Sequence, residues 1–281
     1  MTAKYQWVVV SDLDGSLLNH HNYRWDAAIP SIRQLQQLGM PIIFNTSKTY
    51  PETLELQKQL GIEAPFVVEN GSCVYLPKSR FHELPSPYAR ARNGFWEIKY
   101  GMTIKEINRH LGKALDPSDK IIMLSACTPE QASKLTGLSE AQAAQAINRE
   151  FSQPMLWGGK DSELDNFIQR LQQQGLNVLR GGRFFHVQGK ADKGMAIERL
   201  RLFFSEPIKT IVIGDSANDI EMLNRADIPV VVKAPGNQFL KERVNKAFLT
   251  SLEAPEGWHE AIQFALNNIN QDNNNKDYNH G

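Results

Sequence analysis

Three short apolar runs in this chain each break off into a polar cluster. VVV at 8–10 runs into SDLDGS, IIF at 42–44 into NTSK, and IVI at 211–213 into GDSAND. Continuous β-branched runs of this length suit strands buried on both faces of a parallel sheet, where no polar residue can alternate with the apolar ones. In such sheets ligands bind beyond the carboxyl ends of the strands, which is where the three clusters fall. The pattern therefore constrains the fold and the place of a site together.

The rest of the chain fits that frame in part. PFVV at 65–68 supplies a further strand. Ala27–Leu38, Pro51–Leu60, Lys193–Phe204 and Ile220–Arg225 carry apolar residues at helical spacing, with Gly39 and Gly61 where helices should stop. Strand and helix in alternation predict an α/β fold with a doubly wound parallel sheet. The rhythm fails after a hairpin expected over Glu69–Leu76. Beyond it, helices are expected at Thr103–Leu115, Ser139–Phe151 and Asp161–Gln174, and strands near 96–100, 155–157, 177–179 and 184–187. This is the material of a small inserted α+β cap, and 281 residues leave room for it. The expected organisation is a sheet core of residues 1–85 and 188–270, a cap of 86–187, and an Asn-rich disordered tail of 271–281.

Charge excludes some functions. Lys plus Arg balance Asp plus Glu at 31 each, against a nucleic-acid footprint. With two cysteines and no long apolar run, the chain reads as a soluble cytoplasmic protein with no membrane partner. Oligomeric state leaves no signature.

If the three runs are adjacent parallel strands, Asp12, Asp14, Thr46, Asp215 and Asp219 converge. Four carboxylates so close disfavour each other's ionisation unless a cation neutralises them, and an all-oxygen donor set suits Mg²⁺. Each cluster alone is equally an ordinary turn, Thr46 or Ser47 could cap the next helix, and Lys193 could be a solvated lysine. Three clusters in register favour the metal site.

Four motifs in order, DLDGS at 12–16, Thr46 after IIFN, Lys193 in DKGMA and GDSAND at 214–219, resemble those of the haloacid-dehalogenase superfamily of phosphatases. Ser16 stands where threonine is commoner and keeps the hydroxyl. The resemblance implies a Rossmann-like core with a cap inserted between the second and third motifs. It also implies that Asp12 is the nucleophile and Asp14 the general acid and base. Mg²⁺ would be held by Asp12, Asp215 and the backbone carbonyl of Asp14, with Asp219 orienting its waters, and Thr46 and Lys193 would bind the phosphoryl oxygens.

The substrate must be read from the cap. LRGGRFFHV at 179–187 places Arg180 and Arg183 around a Gly-Gly turn, and arginine suits bidentate capture of a carboxylate or phosphate. An ordinary hairpin with exposed arginines fits the composition equally well. NTSKT at 45–49, VENGS at 68–72, RGGRFFH at 180–186 and DKGMA at 192–196 together resemble the mannosyl-3-phosphoglycerate phosphatase branch of the superfamily. That resemblance implies a small phosphorylated glycoside as substrate, mannosyl- or glucosyl-3-phosphoglycerate, with Lys48, Arg180, Arg183 and His186 as its contacts on the cap and rim. A broad sugar-phosphate phosphatase or a phosphomutase would use the same core. A phospho-receiver switch shares the acidic pair and lysine, but is shorter and takes its phosphorylated aspartate from mid-domain.

Overall fold

A computed structural model describes residues 6–180 and 184–278, those from 272 onward as backbone only. The chain divides into two compact units, Met1–Asn45 with Ile197–Gly281, and Thr46–Ala196.

The first unit is the parallel α/β layer. Its strands lie in the order Phe248–Leu249, Ile228–Val231, Lys209–Gly214, Trp7–Ser11 and Ile42–Asn45, all parallel. Val9 pairs with both Ile211 and Ile42, so two of the three apolar runs flank the third in register. The N–H of Asp12 donates to the carbonyl of Ile213 at 2.9 Å, carrying the ladder one residue past the strand. Val8, Val9, Val10, Ile43, Phe44 and Ile211–Ile213 are fully buried, as a sheet covered on both faces requires.

Around this sheet, the helix Ile29–Gln37 ends just before Gly39. The long helix Glu256–Tyr278 buries Trp258, Ala261, Ile262, Ala265 and Leu266. Its backbone runs into the segment from 271 that composition marked as disordered. A helix already nucleated by a packed apolar face propagates at little cost, since each further residue gains one hydrogen bond. Composition judged that segment alone and missed the helix it continues; residues 279–281 lie outside the described residues.

The second unit opens at Thr46. Helix Tyr50–Leu60 is N-capped by Thr49, which accepts from the Glu52 N–H while the Glu52 side chain reaches back to the Thr49 N–H. Phe66–Val68 and Cys73–Pro77 form the expected hairpin, extended by Phe95–Lys99 and Arg90–Arg92 into an antiparallel sheet. A second antiparallel sheet has the order Ile121–Met123, Ser152–Trp157, Phe185–Gln188 and Asn177–Arg180. Helices Ile104–Ala114 and Asp161–Gln173 pack on it through Ile107, Leu111, Phe167 and Leu171 against Met155 and Val187.

The helix expected over Ser139–Phe151 covers only Glu140–Ala146. Its continuation is pulled away by the Glu69 carboxylate, which accepts from the N–H groups of Glu150 (2.9 Å) and Phe151 (3.0 Å). Those two donors would otherwise have belonged to the next helical turn. Among the described residues no helix is long and apolar enough to cross a membrane.

Candidate active site

In the first unit, Asp12 directly follows the central strand and Asp215 directly follows its neighbour, so parallel register brings together carboxylates 203 positions apart in the chain. Asp219 joins them from the short helical turn Ala217–Asp219. One carboxylate oxygen from each of the three lies within 4.8 Å of the others, and all three side chains are buried. The Asp14 side chain is half-buried and not a member of this group.

The cluster is braced from several sides. Ser16, fully buried, donates its hydroxyl to Asp215 Oδ1 at 3.1 Å. Gly15 has φ +82°, and a Cβ built there would stand 2.4 Å from Asp215 Oδ2. Backbone and carboxylate can approach this closely only over a glycine, whose lack of Cβ also permits the left-handed turn. Asp219 Oδ2 accepts from the N–H groups of Asp215 and Ser216, both at 3.0 Å, which shapes the loop carrying Asp215. Asn237 completes it, with Nδ2 donating to the carbonyls of Asp215 (2.7 Å) and Val232 (2.8 Å). Behind Asp12, the buried Trp258 indole donates to Ser11 Oγ (2.9 Å), whose hydroxyl donates to the Asp12 carbonyl (2.6 Å).

Three buried carboxylates offering oxygen at this spacing fit a hard divalent cation. The cation's charge would offset the mutual repulsion of the three carboxylates.

The second unit holds the cationic and hydroxyl residues. Thr46 is fully buried, its Oγ1 accepting the Lys48 N–H (3.1 Å) and its carbonyl the Asn70 N–H (2.9 Å). Lys193, 1% exposed, begins helix Lys193–Arg201. The tight turn of VENGS explains part of its placement. Glu69, Asn70 and Gly71 all take left-handed φ (+47°, +55°, +91°), and a Cβ on Gly71 would stand 2.1 Å from the Asp192 carbonyl oxygen. The turn thus packs directly on the residue before Lys193. Asn70 Nδ2 also donates to Gln188 Oε1 (3.3 Å), while Gln188 Nε2 donates to the Ala191 carbonyl (2.7 Å).

Of the residues expected to contact substrate, Lys48 lies 3.8 Å from the Glu52 carboxylate. Arg180 is exposed at its strand end, its guanidinium over the Phe185 ring at 5.8 Å. Arg183 lies outside the described residues. The half-buried His186 has a sealed Nδ1 with no hydrogen bond. Desolvation, followed by the nearby charges of Arg149 and Lys193, holds its pKa down to about 3, so it is neutral near pH 7.

From sequence Ser16 stands out only as a retained hydroxyl, and the bracing by Glu69, Asn70 and Asn237 has no local signature. VENGS at 68–72 carried a usable signal: Asn-Gly after a β-branched run marks a tight turn, though not what the turn packs against.

Residues 9–85 and 129–251 match the family model of the haloacid dehalogenase-like hydrolases. The chain belongs to that family, as one of its phosphatases. It is 35% identical to a glucosyl-3-phosphoglycerate/mannosyl-3-phosphoglycerate phosphatase of Persephonella marina, over 93% of this chain and 98% of that one. A protein of the same description from Methanococcoides burtonii is 31% identical, over 91% and 95%. The fold is shared with protein 0175 of Thermoplasma acidophilum, at TM-score 0.65, 20% identity, and 93% and 100% coverage. A haloacid dehalogenase-like hydrolase of Bacteroides thetaiotaomicron superposes similarly, at TM-score 0.64, 17% identity, and the same coverage.

Proposed function

We propose that this phosphatase hydrolyses glucosyl- or mannosyl-3-phosphoglycerate to the glycosylglycerate and phosphate, with Mg²⁺ bound at the Asp12–Asp215–Asp219 cluster. The observation that carries the chemistry is that cluster: three buried carboxylates brought within 4.8 Å, one of them the residue that directly follows the central strand. The substrate rests on the two curated relatives, both similar over more than nine-tenths of this chain.

In this reading an Asp12 oxygen attacks phosphorus, the new P–O bond forms, and the ester P–O bond breaks. Asp14 gives its proton to the departing alkoxide. Asp14, now a carboxylate, then takes a proton from water as the water oxygen attacks phosphorus, releasing phosphate and restoring Asp12. Thr46 and Lys193 hold the phosphoryl oxygens, since phosphoryl transfer depends chiefly on positioning and charge neutralisation. Asp12, Asp215 and the Asp14 carbonyl would hold the cation, and Asp219 would orient its waters. Mg²⁺ supplies the positive charge that lets the Asp12 carboxylate and the phosphate approach each other.

Turnover of p-nitrophenyl phosphate should be lost on EDTA treatment and return with Mg²⁺. Asp12→Asn should be inactive, and Asp14→Asn should slow turnover by roughly 10²–10⁴. A fully active metal-free enzyme or Asp12→Asn variant would overturn the mechanism. Equal or better kcat/KM on hexose 6-phosphates than on glycosyl-3-phosphoglycerates would overturn the substrate and leave the phosphatase standing.

A further inference from the structure

Arg149 lies in the turn between helix Glu140–Ala146 and strand Ser152–Trp157, half-buried and so partly stripped of water. Its Nε donates to the Ala146 carbonyl at 3.1 Å. Its Nη1 donates to the Ser47 carbonyl at 2.9 Å and to Ser152 Oγ at 3.0 Å. Ser152 is fixed in turn, donating its hydroxyl to the buried Glu69 carboxylate at 2.6 Å. These bonds hold the guanidinium plane rigidly. All of Arg149's acceptors are uncharged, and among the described residues no carboxylate lies within ion-pair distance of it.

The nearest carboxylate, Glu69, is reached only through Ser152 Oγ and already accepts from the N–H groups of Glu150 and Phe151, so the pre-positioned, partly desolvated guanidinium has no direct ion pair and is suited to binding an anion from outside the chain, its fork matching a planar carboxylate. The location within the second unit is informative. Ser47 directly follows Thr46, so the fork is anchored one residue from the threonine assigned to the phosphoryl group. The electrostatic environment agrees: Arg149 and Lys193 both bear on His186, which stays neutral, so the positive charge comes from these two side chains.

The geometry points to Arg149 as the specificity residue that recognises a second anionic group on the substrate, a carboxylate a few bonds from the phosphate ester. This rests on the phosphoglycerate reading above and deepens it. It moves the carboxylate contact from the exposed Arg180 and from Arg183 to an arginine outside the Gly-Gly turn. The lysine grips the ester's phosphate, and the arginine distinguishes esters that carry the extra charge.

Two esters that differ only at this group, 3-phosphoglycerate and glycerol 3-phosphate, test it. The kcat/KM ratio of the first to the second should fall about ten- to hundredfold in Arg149→Met, the effect of losing a charge-assisted hydrogen bond. Arg149→Lys, which keeps a charge without the fork, should fall between the two, and Arg180→Met should keep the wild-type ratio. Circular dichroism melts of each variant check that the fold is retained. A ratio that survives Arg149→Met, or a loss shared equally by both esters, overturns the role of Arg149 alone. A wild-type enzyme with no preference for the carboxylated ester, and none for glycosyl-3-phosphoglycerate over hexose phosphates, overturns the substrate reading and this inference with it.

Discussion

Replacing Gly15 with alanine adds one carbon at the point where backbone and cluster touch. The new Cβ would stand 2.4 Å from Asp215 Oδ2 and 2.8 Å from its Cγ, well inside contact distance. The left-handed φ of +82° adds about 1–2 kcal/mol for any L-residue with a side chain. Relieving the overlap adds roughly 1–3 kcal/mol more, as small-to-large changes in packed sites do. For a chain of this size each kcal/mol lowers Tm by about 2–4 °C, so a fall of roughly 4–20 °C is expected. The local consequence is more telling. Asp215 has little room to retreat, since Ser16 Oγ holds Oδ1 and Asn237 holds its carbonyl. The carboxylate must rotate out of the arrangement that faces Asp12 and Asp219. Mg²⁺ affinity measured by isothermal titration calorimetry should drop about 10–100-fold, the range seen when a residue supporting a metal ligand is disturbed. Ser16→Ala, which removes a hydrogen bond and adds no atom, should weaken binding less. A Gly15→Ala protein that melts lower but binds Mg²⁺ and turns over p-nitrophenyl phosphate like the wild type would refute the reasoning. The strain would then have been absorbed away from the site.

Further outcomes follow from the second unit. Glu69→Ala strands the Glu150 and Phe151 N–H groups and the Ser152 hydroxyl, each worth about 1–3 kcal/mol when left unsatisfied, so urea denaturation should show a loss of at least about 3 kcal/mol. A loss under 1 kcal/mol would show that water replaces the carboxylate. For His186, the folded pKa near 3 lies below the ordinary 6.5, so at intermediate pH the unfolded chain binds the extra proton. Its contribution to stability should therefore be intact above about pH 6.5 and lost progressively as pH falls towards 3. His186→Gln should flatten the stability difference between pH 7 and pH 5, and an unchanged slope would remove His186 as its source.

That Asp12 and Asp215 come together was legible because each follows a run whose burial is written into composition. VVV, IIF and IVI can lie nowhere but inside a sheet, and parallel register places whatever follows them at one edge. Asp12 and Asp215 were therefore found without coordinates, and so was the family. Helix Pro129–Thr136 went unread although Thr128 and Gln131 form a capping box, because its eight residues bury only Ala132 and carry little periodicity. The end of the helix at Ala146 could not be read at all. After local turn bonds from the Asn148 and Arg149 N–H groups, a glutamate some eighty positions earlier takes the N–H groups of Glu150 and Phe151.

The same distinction separates the chemistry of the site from its precision. Local sequence determines which groups stand at strand ends, because burial and turn formation act over a few residues. Tertiary structure alone decided that Ser16 braces Asp215, that Gly15 and Gly71 are close-approach points, and that Arg149 is tied to the Ser47 carbonyl. Those contacts join segments about one to two hundred residues apart, and their energies turn on fractions of an ångström that no pattern of residue types encodes.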